Sequence, residues 1–147
     1  TLQAGARYTG WEILCLGRTA AGEKFADGSL RQQTEIKIGD ELLWDERVRL
    51  SGNSPLLHSV AGLGDAPVSA TLLAAGVKIP TEVLARCRAQ AVEGEARVGV
   101  SAIDALFVAR YVGGSGEQAR EYFVALWREL RPLLAGRTAV TPRIWNT

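Results

Sequence analysis

The sequence predicts a fold that is mainly β with two late α-helices, which is α+β by content. Through most of the chain, short segments alternate apolar and polar residues with the period of two that is typical of strands. After residue 80, a Pro-Thr-Glu helix start predicts a helix near Thr81–Ala91, with Thr81 as its N-cap. Apolar residues at helical spacing predict a second helix near Glu117–Leu130.

The length and composition are those of an ordinary globular domain. A length of 147 residues is enough for one domain with its own core. The composition, 47% hydrophobic and 22% charged, is ordinary for a globular protein. The formal net charge is +1, so the chain lacks the basic surface that nucleic acid or an anionic membrane would attract. The apolar runs are far short of the ~20 residues that a membrane helix requires. No signal-peptide pattern opens the chain, and we expect a cytoplasmic protein.

The first residue is Thr1, and the sequence contains no Met. We therefore expect a fragment or a processed product of a longer protein. Cys15 and Cys87 lie far apart in apolar segments and are expected to be buried thiols in a reducing compartment. His58 is the single histidine, and no Cys-x-x-Cys pair occurs, so an ordinary zinc site or a His-rich nickel site is excluded. No fixed metal or cofactor is expected.

The first strand is predicted over residues 11–16, with apolar side chains on both faces. Trp11, Ile13 and Cys15 point one way. Glu12 points the other way, toward apolar surroundings that an acid normally avoids. A glycine-punctuated loop follows, over residues 17–28.

A hairpin is predicted next, from a strand over residues 31–38 and a return strand over residues 41–50. Gly39 and Asp40 form the two-residue turn, since Gly supplies the positive φ that such a turn requires. The apolar face of the return strand collects Leu42, Trp44, Val48 and Leu50. Alternation places Glu46 on this same face.

Two interpretations of the inward acids Glu12 and Glu46 follow from the cost of burying a carboxylate. In the first, both are structural and are neutralised by arginines. The candidates for that role are Arg18, Arg47 and Arg49. In the second, the carboxylates line a wet internal passage or accept a metal cation in transit.

The remaining elements are predicted from turn residues and short apolar runs. They are a loop over 51–55, a short turn over 56–60, a loop over 62–65, and strands over 68–74, 95–100 and 105–112. The Gly-Gly-Ser-Gly segment at 113–116 lacks the lysine of a phosphate loop and is interpreted as a flexible connector.

The last predicted helix carries an apolar stripe, which most simply belongs to the core and otherwise forms a partner-binding face. Its members are Ala119, Tyr122, Phe123, Leu126, Trp127 and Leu130. Pro132 is expected to end or kink the helix. The tail from residue 137 carries Trp145, and we expect the tail to dock because an exposed terminal Trp is unusual.

Enzymatic alternatives have little support in the sequence. No Gly-x-Ser-x-Gly elbow occurs, and His58 and Ser59 are adjacent only in sequence. Glu12 and Glu46 would suit a two-carboxylate glycosidase only if an aromatic, hydrogen-bonding sugar cleft surrounded them. A small hydrolase therefore remains the least favoured function.

Three motifs in this order resemble the urease accessory protein UreD family, called UreH in some organisms. They are Trp11-Glu12-Ile13-Leu14-Cys15-Leu16-Gly17-Arg18 with Gly22-Glu23-x-Phe25 and Gly28, then Glu46-Arg47-x-Arg49-Leu50, then Leu130-Arg131-Pro132 with Pro142-Arg143-Ile144-Trp145-x-Thr147. The resemblance spans residues 11–147 and corresponds to the C-terminal half of the family. The Gly-Gly-Asp motif of the other half is absent from this chain.

The resemblance implies a fold and a function. The expected fold is a stacked, β-helix-like strand assembly with two helices, with residues 1–147 as a single domain or as the C-terminal half of a larger UreD-like domain. The expected function is that of a non-enzymatic scaffold that binds urease apoprotein and the accessory protein UreF, which recruits the GTPase UreG. Nickel is expected to pass through an internal channel without a fixed site. A purely structural adaptor without metal transit is the alternative.

The resemblance also assigns roles to residues. Glu12 falls where the family has an acid after Trp, and Glu46 falls on the Glu of the Glu-Arg-x-x-Leu stretch. Both match positions considered to line the channel, which favours the functional interpretation of these acids. The expected partner-facing surface is the helix from 117 to 130 with the tail. Its candidate residues are Tyr122, Trp127, Arg143 and Trp145.

Overall fold

The structure, a computed structural model, describes residues 1–146. Over this range the chain forms six strands and three α-helices. They are β1 Tyr8–Cys15, β2 Ser29–Ile38, β3 Glu41–Ser51, α1 Pro55–His58, β4 Val68–Ala75, α2 Thr81–Arg88, β5 Arg97–Ile103, β6 Leu106–Gly113 and α3 Gly116–Ala135.

The strands form one four-stranded sheet, in the order β1-β4-β6-β5, and one separate hairpin of β2 and β3. Every pairing within the sheet and within the hairpin is antiparallel. The predicted class, mainly β with late helices, is therefore confirmed. The β-helix-like stack stays a prediction from the family resemblance.

The main core lies between the sheet and the two late helices. Leu72 on β4, with Phe107 and Tyr111 on β6, packs against α3, where Phe123 is completely buried. This burial confirms that the apolar stripe of α3 is a core face. The opposite face of the sheet carries a smaller core, which joins it to the hairpin. Its buried members are Ile36, Leu73, Ala75 and Leu106.

Strand β4 lies at the centre of this three-layer arrangement. Seven of its eight residues are buried, because the helices cover one face and the hairpin covers the other. Its sequence, VSATLLAA, is accordingly apolar on both faces except for Ser69 and Thr71. Those two polar residues face the hairpin.

The predicted turn of the hairpin is confirmed, since β2 ends at Ile38, β3 begins at Glu41, and Gly39 has φ +57°. A bulge shifts the register between Ile36 and Lys37, which face Trp44 and Leu42 respectively. The extra residue, Leu43, turns toward the smaller core, while Leu42 is 52% exposed. The prediction that Leu42 shares the buried face with Trp44 is therefore wrong.

Both late helices have bounds that differ from the prediction. Helix α2 begins at Thr81 and ends at Arg88, and the N-cap is Pro80 rather than Thr81. Helix α3 passes through Pro132 and ends at Ala135, where Gly136 caps it with φ +63°. Pro132 was predicted to end or kink the helix. It lies in the last turn, where its missing N–H removes only one helical hydrogen bond.

The two cysteines occupy different environments. Cys87 is completely buried in the main core, as predicted, and burial raises the pKa of its thiol to about 11. Cys15 is exposed at the end of β1, so the prediction of a second buried thiol is wrong. Among residues 1–146, no helix has the length and apolar character needed to cross a bilayer.

Candidate functional site

A pocket of about 130 Å³ lies between the sheet and the hairpin, and both inward acids line it. Strands β1, β4 and β6 contribute Glu12, Thr71 and Arg110 to its walls. The hairpin contributes Gln32 and Glu46. Apolar side chains complete the lining, among them Leu14, Leu16, Val48, Leu50, Leu56 and Leu63. The two acids that alternation placed inward therefore share one polar site in an apolar setting.

The register of the sheet aligns the polar groups of one wall. Glu12 is paired with Thr71 across β1 and β4, and Thr71 is paired with Arg110 across β4 and β6. Cross-strand partners point to the same face of a sheet. An acid, a hydroxyl and a guanidinium thus form one row that faces the hairpin.

Glu12 is held by a side chain from the other layer. The Gln32 amide of β2 donates a hydrogen bond to Oε2 of Glu12. The amide oxygen of Gln32 is buried and has no hydrogen-bond partner among the described residues. An unpaired buried acceptor is costly, so a partner for this oxygen would lower the free energy of the site.

The carboxylate of Glu46 is bound by a side chain of the sheet, that of Arg110. Nη2 of Arg110 donates to Oε1 of Glu46 at 2.5 Å, and Nη1 donates to Oγ1 of Thr71 at 3.3 Å. The guanidinium lies 5.7 Å from the ring centroid of Trp44, within range of a cation–π interaction. The Glu46 side chain is 20% exposed and that of Arg110 is 44% exposed.

The partner of Glu46 differs from the three arginines expected for an ion pair. Arg18 pairs with Glu23 at 2.5 Å, and Arg47 pairs with Asp45 at 3.2 Å on the outer face of the hairpin. The exposed side chain of Arg49 alternates with Glu46 along β3 and points to that outer face. For Glu46, the prediction of an arginine partner is right in kind and wrong in residue, because the partner comes from β6. For Glu12 the prediction is wrong, because its hydrogen bond comes from Gln32.

The charges around the pocket favour a cation. Two carboxylates and one guanidinium give a formal charge of −1. The carboxylates, the hydroxyl of Thr71 and the amide of Gln32 offer oxygen ligands only. Over residues 1–146, no three His, Cys, Asp or Glu side chains come together in a group that could hold a metal ion. Oxygen ligands of this kind suit hard, hydrated cations.

A model of the family "UreD urease accessory protein" matches residues 1–146. The chain belongs to the UreD family. Curated proteins named "Urease accessory protein UreD" are similar to it over 99% of its length. Those of Methylobacillus flagellatus, Nitrosococcus oceani and Dechloromonas aromatica are 43%, 44% and 44% identical. The aligned regions cover 51%, 49% and 52% of these relatives, so the chain spans about half their length.

The roof of the pocket is formed by Leu56 of α1 and by Gly62 and Leu63 of the loop that follows α1. One guanidinium holds this roof: Arg97 of β5 donates to the carbonyls of Val60 at 2.6 Å and of Gly62 and Leu63 at 3.0 Å. Position 62 has room only for Gly, because a Cβ there would lie 2.2 Å from the Leu56 carbonyl oxygen. Arg97 therefore positions the roof without lining the pocket.

Two of the four residues predicted to face a partner lie in the core. Tyr122 and Trp127 are each 4% exposed, so they offer a partner almost no contact area. The tail docks as predicted: the ring centroid of Trp145 lies 5.1 Å from the ring centroids of both Trp11 and Trp127. Arg143 is exposed and Trp145 is half-buried, and a partner-facing role for these two stays a prediction.

The histidine has a partner other than the neighbouring serine. Nδ1 of His58 lies 2.5 Å from Oδ1 of Asp65, and both side chains are exposed. The Ser59 hydroxyl accepts a hydrogen bond from the N–H of Ala61. The geometry thus gives no support to a Ser–His nucleophile.

Sequence reasoning missed three residues of the site, namely Gln32, Thr71 and Arg110. For Arg110 a signal existed, because alternation along β6 places it on the face of Leu106, Val108 and Val112. A charged residue within that apolar face is the same anomaly that identified Glu46. Neither Gln32 nor Thr71 carries such a signal, since both residue types are common on half-buried strands.

Proposed function

We propose that this chain acts in urease maturation as a non-catalytic scaffold, and that its pocket is part of an internal route for nickel. Its proposed partners are urease apoprotein, UreF and, through UreF, UreG. Membership of a family of urease accessory proteins supports the role in maturation. Within this proposal the chain is the C-terminal half of a larger, β-helix-like UreD domain, and the protein is cytoplasmic.

One observation carries the nickel route: Glu12 and Glu46, on different layers of the fold, line the same pocket. Carboxylates in an apolar wall are costly unless a partner or a cation compensates their charge. Glu12 and Glu46 border one pocket of about 130 Å³, which has room for a partly hydrated ion.

The ligand chemistry also supports transit. A conduit has to bind its ion weakly enough to release it, as ion pathways do. Histidine and cysteine clusters bind Ni²⁺ tightly, whereas a few oxygen ligands hold it loosely. The oxygen-only lining of the pocket therefore suits passage, and nickel is cargo here rather than a resident cofactor.

A structural adaptor without metal transit is the second candidate. It is favoured by the ion pair of Glu46 with Arg110, which compensates the carboxylate without any metal. In this case the polar contacts of the pocket would serve only to join the hairpin to the sheet.

Replacing both pocket acids distinguishes the two candidates. The full-length protein carrying Glu12→Ala and Glu46→Ala would be co-expressed with urease and its accessory proteins. Nickel per urease subunit would be measured by elemental analysis, and complex assembly by co-purification. The matched control is Glu35→Ala with Asp45→Ala, which removes two carboxylates from the exposed face of the same hairpin.

We expect the pocket variant to assemble normally and to lower the nickel content of urease severalfold, since it removes both charged ligands of the route. The control is expected to match the parent protein in both measurements. Normal nickel content in an assembled pocket variant would eliminate transit and leave the adaptor. Loss of assembly in the pocket variant alone would assign the acids a structural role.

A further inference from the structure

We propose that Arg110 is the gate of this pocket, an internal cation that a divalent metal ion has to displace from Glu46. The inference rests on the proposed function, because it concerns the regulation of the same site. It assigns a specific role to a residue of β6 that does not stand out as a metal ligand.

The charge of the pocket depends on where the Arg110 side chain lies. With its guanidinium on Glu46 the formal charge is −1, and without it the two carboxylates give −2. A charge of −2 matches a divalent cation, whereas a guanidinium at 2.5 Å from the carboxylate repels one. The charge of the closed pocket is thus partly compensated in the absence of metal, and the charge of the open pocket is complementary to that of a divalent ion.

The contacts of Arg110 allow this exchange. Its side chain is 44% exposed, and ion pairs with such exposure contribute little to stability, so a competing ion can displace the guanidinium. Its position over the ring of Trp44, which is not among the lining residues of the pocket, does not involve Glu46. This contact retains the side chain beside the pocket after it leaves the carboxylate.

The pocket also holds a ligand that becomes useful only when metal enters. The buried amide oxygen of Gln32 lacks a hydrogen-bond partner among residues 1–146. It belongs to the residue that donates to Glu12, so it lies beside one carboxylate. A cation that binds at Glu12 therefore has this oxygen as a neighbouring ligand.

Ni²⁺ titration of the full-length protein by calorimetry tests the gate. Arg110→Met keeps a long, unbranched side chain at this position but removes the competing charge. We expect this variant to bind Ni²⁺ about tenfold more tightly than the parent protein. Arg110→Lys keeps the positive charge and is expected to stay within about twofold of the parent. Arg47→Met removes a charge from the outer face of the hairpin and controls for net charge.

Equal Ni²⁺ affinity in the parent and Arg110→Met would overturn the gate while leaving the route intact. Equal tightening of Ni²⁺ binding by Arg110→Met and Arg47→Met would also overturn the gate, because it would show a general effect of net charge. Equal tightening by Arg110→Met and Arg110→Lys would overturn it as well, because it would show an effect of side-chain shape. No Ni²⁺ binding by any variant, with all variants folded by circular dichroism, would overturn the proposed route itself. If Arg110→Met does not fold, Arg110→Gln takes its place, with the same expected tightening.

Discussion

At the scale of single residues, the two inward acids are each satisfied by a side chain of the opposite layer. Glu12 of the sheet receives a hydrogen bond from Gln32 of the hairpin, and Glu46 of the hairpin receives one from Arg110 of the sheet. Charge-assisted hydrogen bonds are stronger than neutral ones. The polar residues of the pocket therefore also join the hairpin to the sheet at the end opposite the smaller core.

The cysteines give a prediction at this scale. Thiolate is the reactive form, and burial raises the pKa of Cys87 to about 11, so Cys87 stays protonated near neutral pH. We expect iodoacetamide to alkylate the exposed Cys15 of the native protein and to spare Cys87. Mass spectrometry of digested protein measures both sites, and the same reaction in denaturant is the control. Equal labelling of both cysteines in native protein would contradict this prediction.

At the scale of elements, alternation predicted the hairpin and the face of each acid correctly, because successive side chains of a strand point to opposite faces whatever the strand pairs with. Their partners could not be predicted, since Gln32 lies 20 residues from Glu12 and Arg110 lies 64 residues from Glu46. Only the assembled sheet brings them together.

The errors in the elements have similar causes. The bulge that turns Leu43 inward is accompanied by packing of Leu43 against the smaller core, most of whose members lie far from Leu43 in sequence. The extension of α3 past Pro132 is accompanied by packing of Leu133 and Leu134 against the main core. In both places tertiary packing prevailed over local preference.

The roof loop gives a prediction at the scale of elements. Arg97→Met removes the hydrogen bonds to the carbonyls of Val60, Gly62 and Leu63. Bonds to a charged donor are stronger than average, so we expect amide exchange in residues 59–66 to accelerate about tenfold or more. Hydrogen exchange with mass spectrometry measures this, and Arg31→Met on the exposed face of β2 is the control. Unchanged exchange in the loop would mean that Arg97 does not hold the roof.

At the scale of the whole molecule, one sheet separates two different interiors. The helices cover one face with the large apolar core, and the hairpin covers the other with a small core beside a polar pocket. Stability thus comes mainly from one side of the sheet, and the candidate site lies on the other. This separation leaves the pocket free to carry costly polar groups.

The docked tail gives a prediction at this scale, because Trp145 joins the end of the chain to β1 and α3. Trp145→Ala removes its contacts with Trp11 and Trp127 and is expected to lower the free energy of unfolding by about 1–3 kcal/mol. Urea unfolding measures this change. Val140→Ala, at a position of the same tail that is 74% exposed, is the control and is expected to have almost no effect.

The same variants test the proposed role of the tail in binding. We expect Trp145→Ala to weaken co-purification with UreF, whereas Val140→Ala should not. Unaltered complex formation by Trp145→Ala would remove the tail from the proposed contact surface and leave Trp145 with a structural role alone.

The way in which Arg97 holds the roof has a consequence for how this loop can diverge. Its guanidinium contacts only main-chain oxygens, which every amino acid supplies. Side chains such as that of Val60, 83% exposed, are therefore replaceable without loss of the anchor. Homologous loops can thus differ in their other side chains while keeping one backbone path, provided that position 62 stays Gly and that an arginine faces the loop from the neighbouring strand.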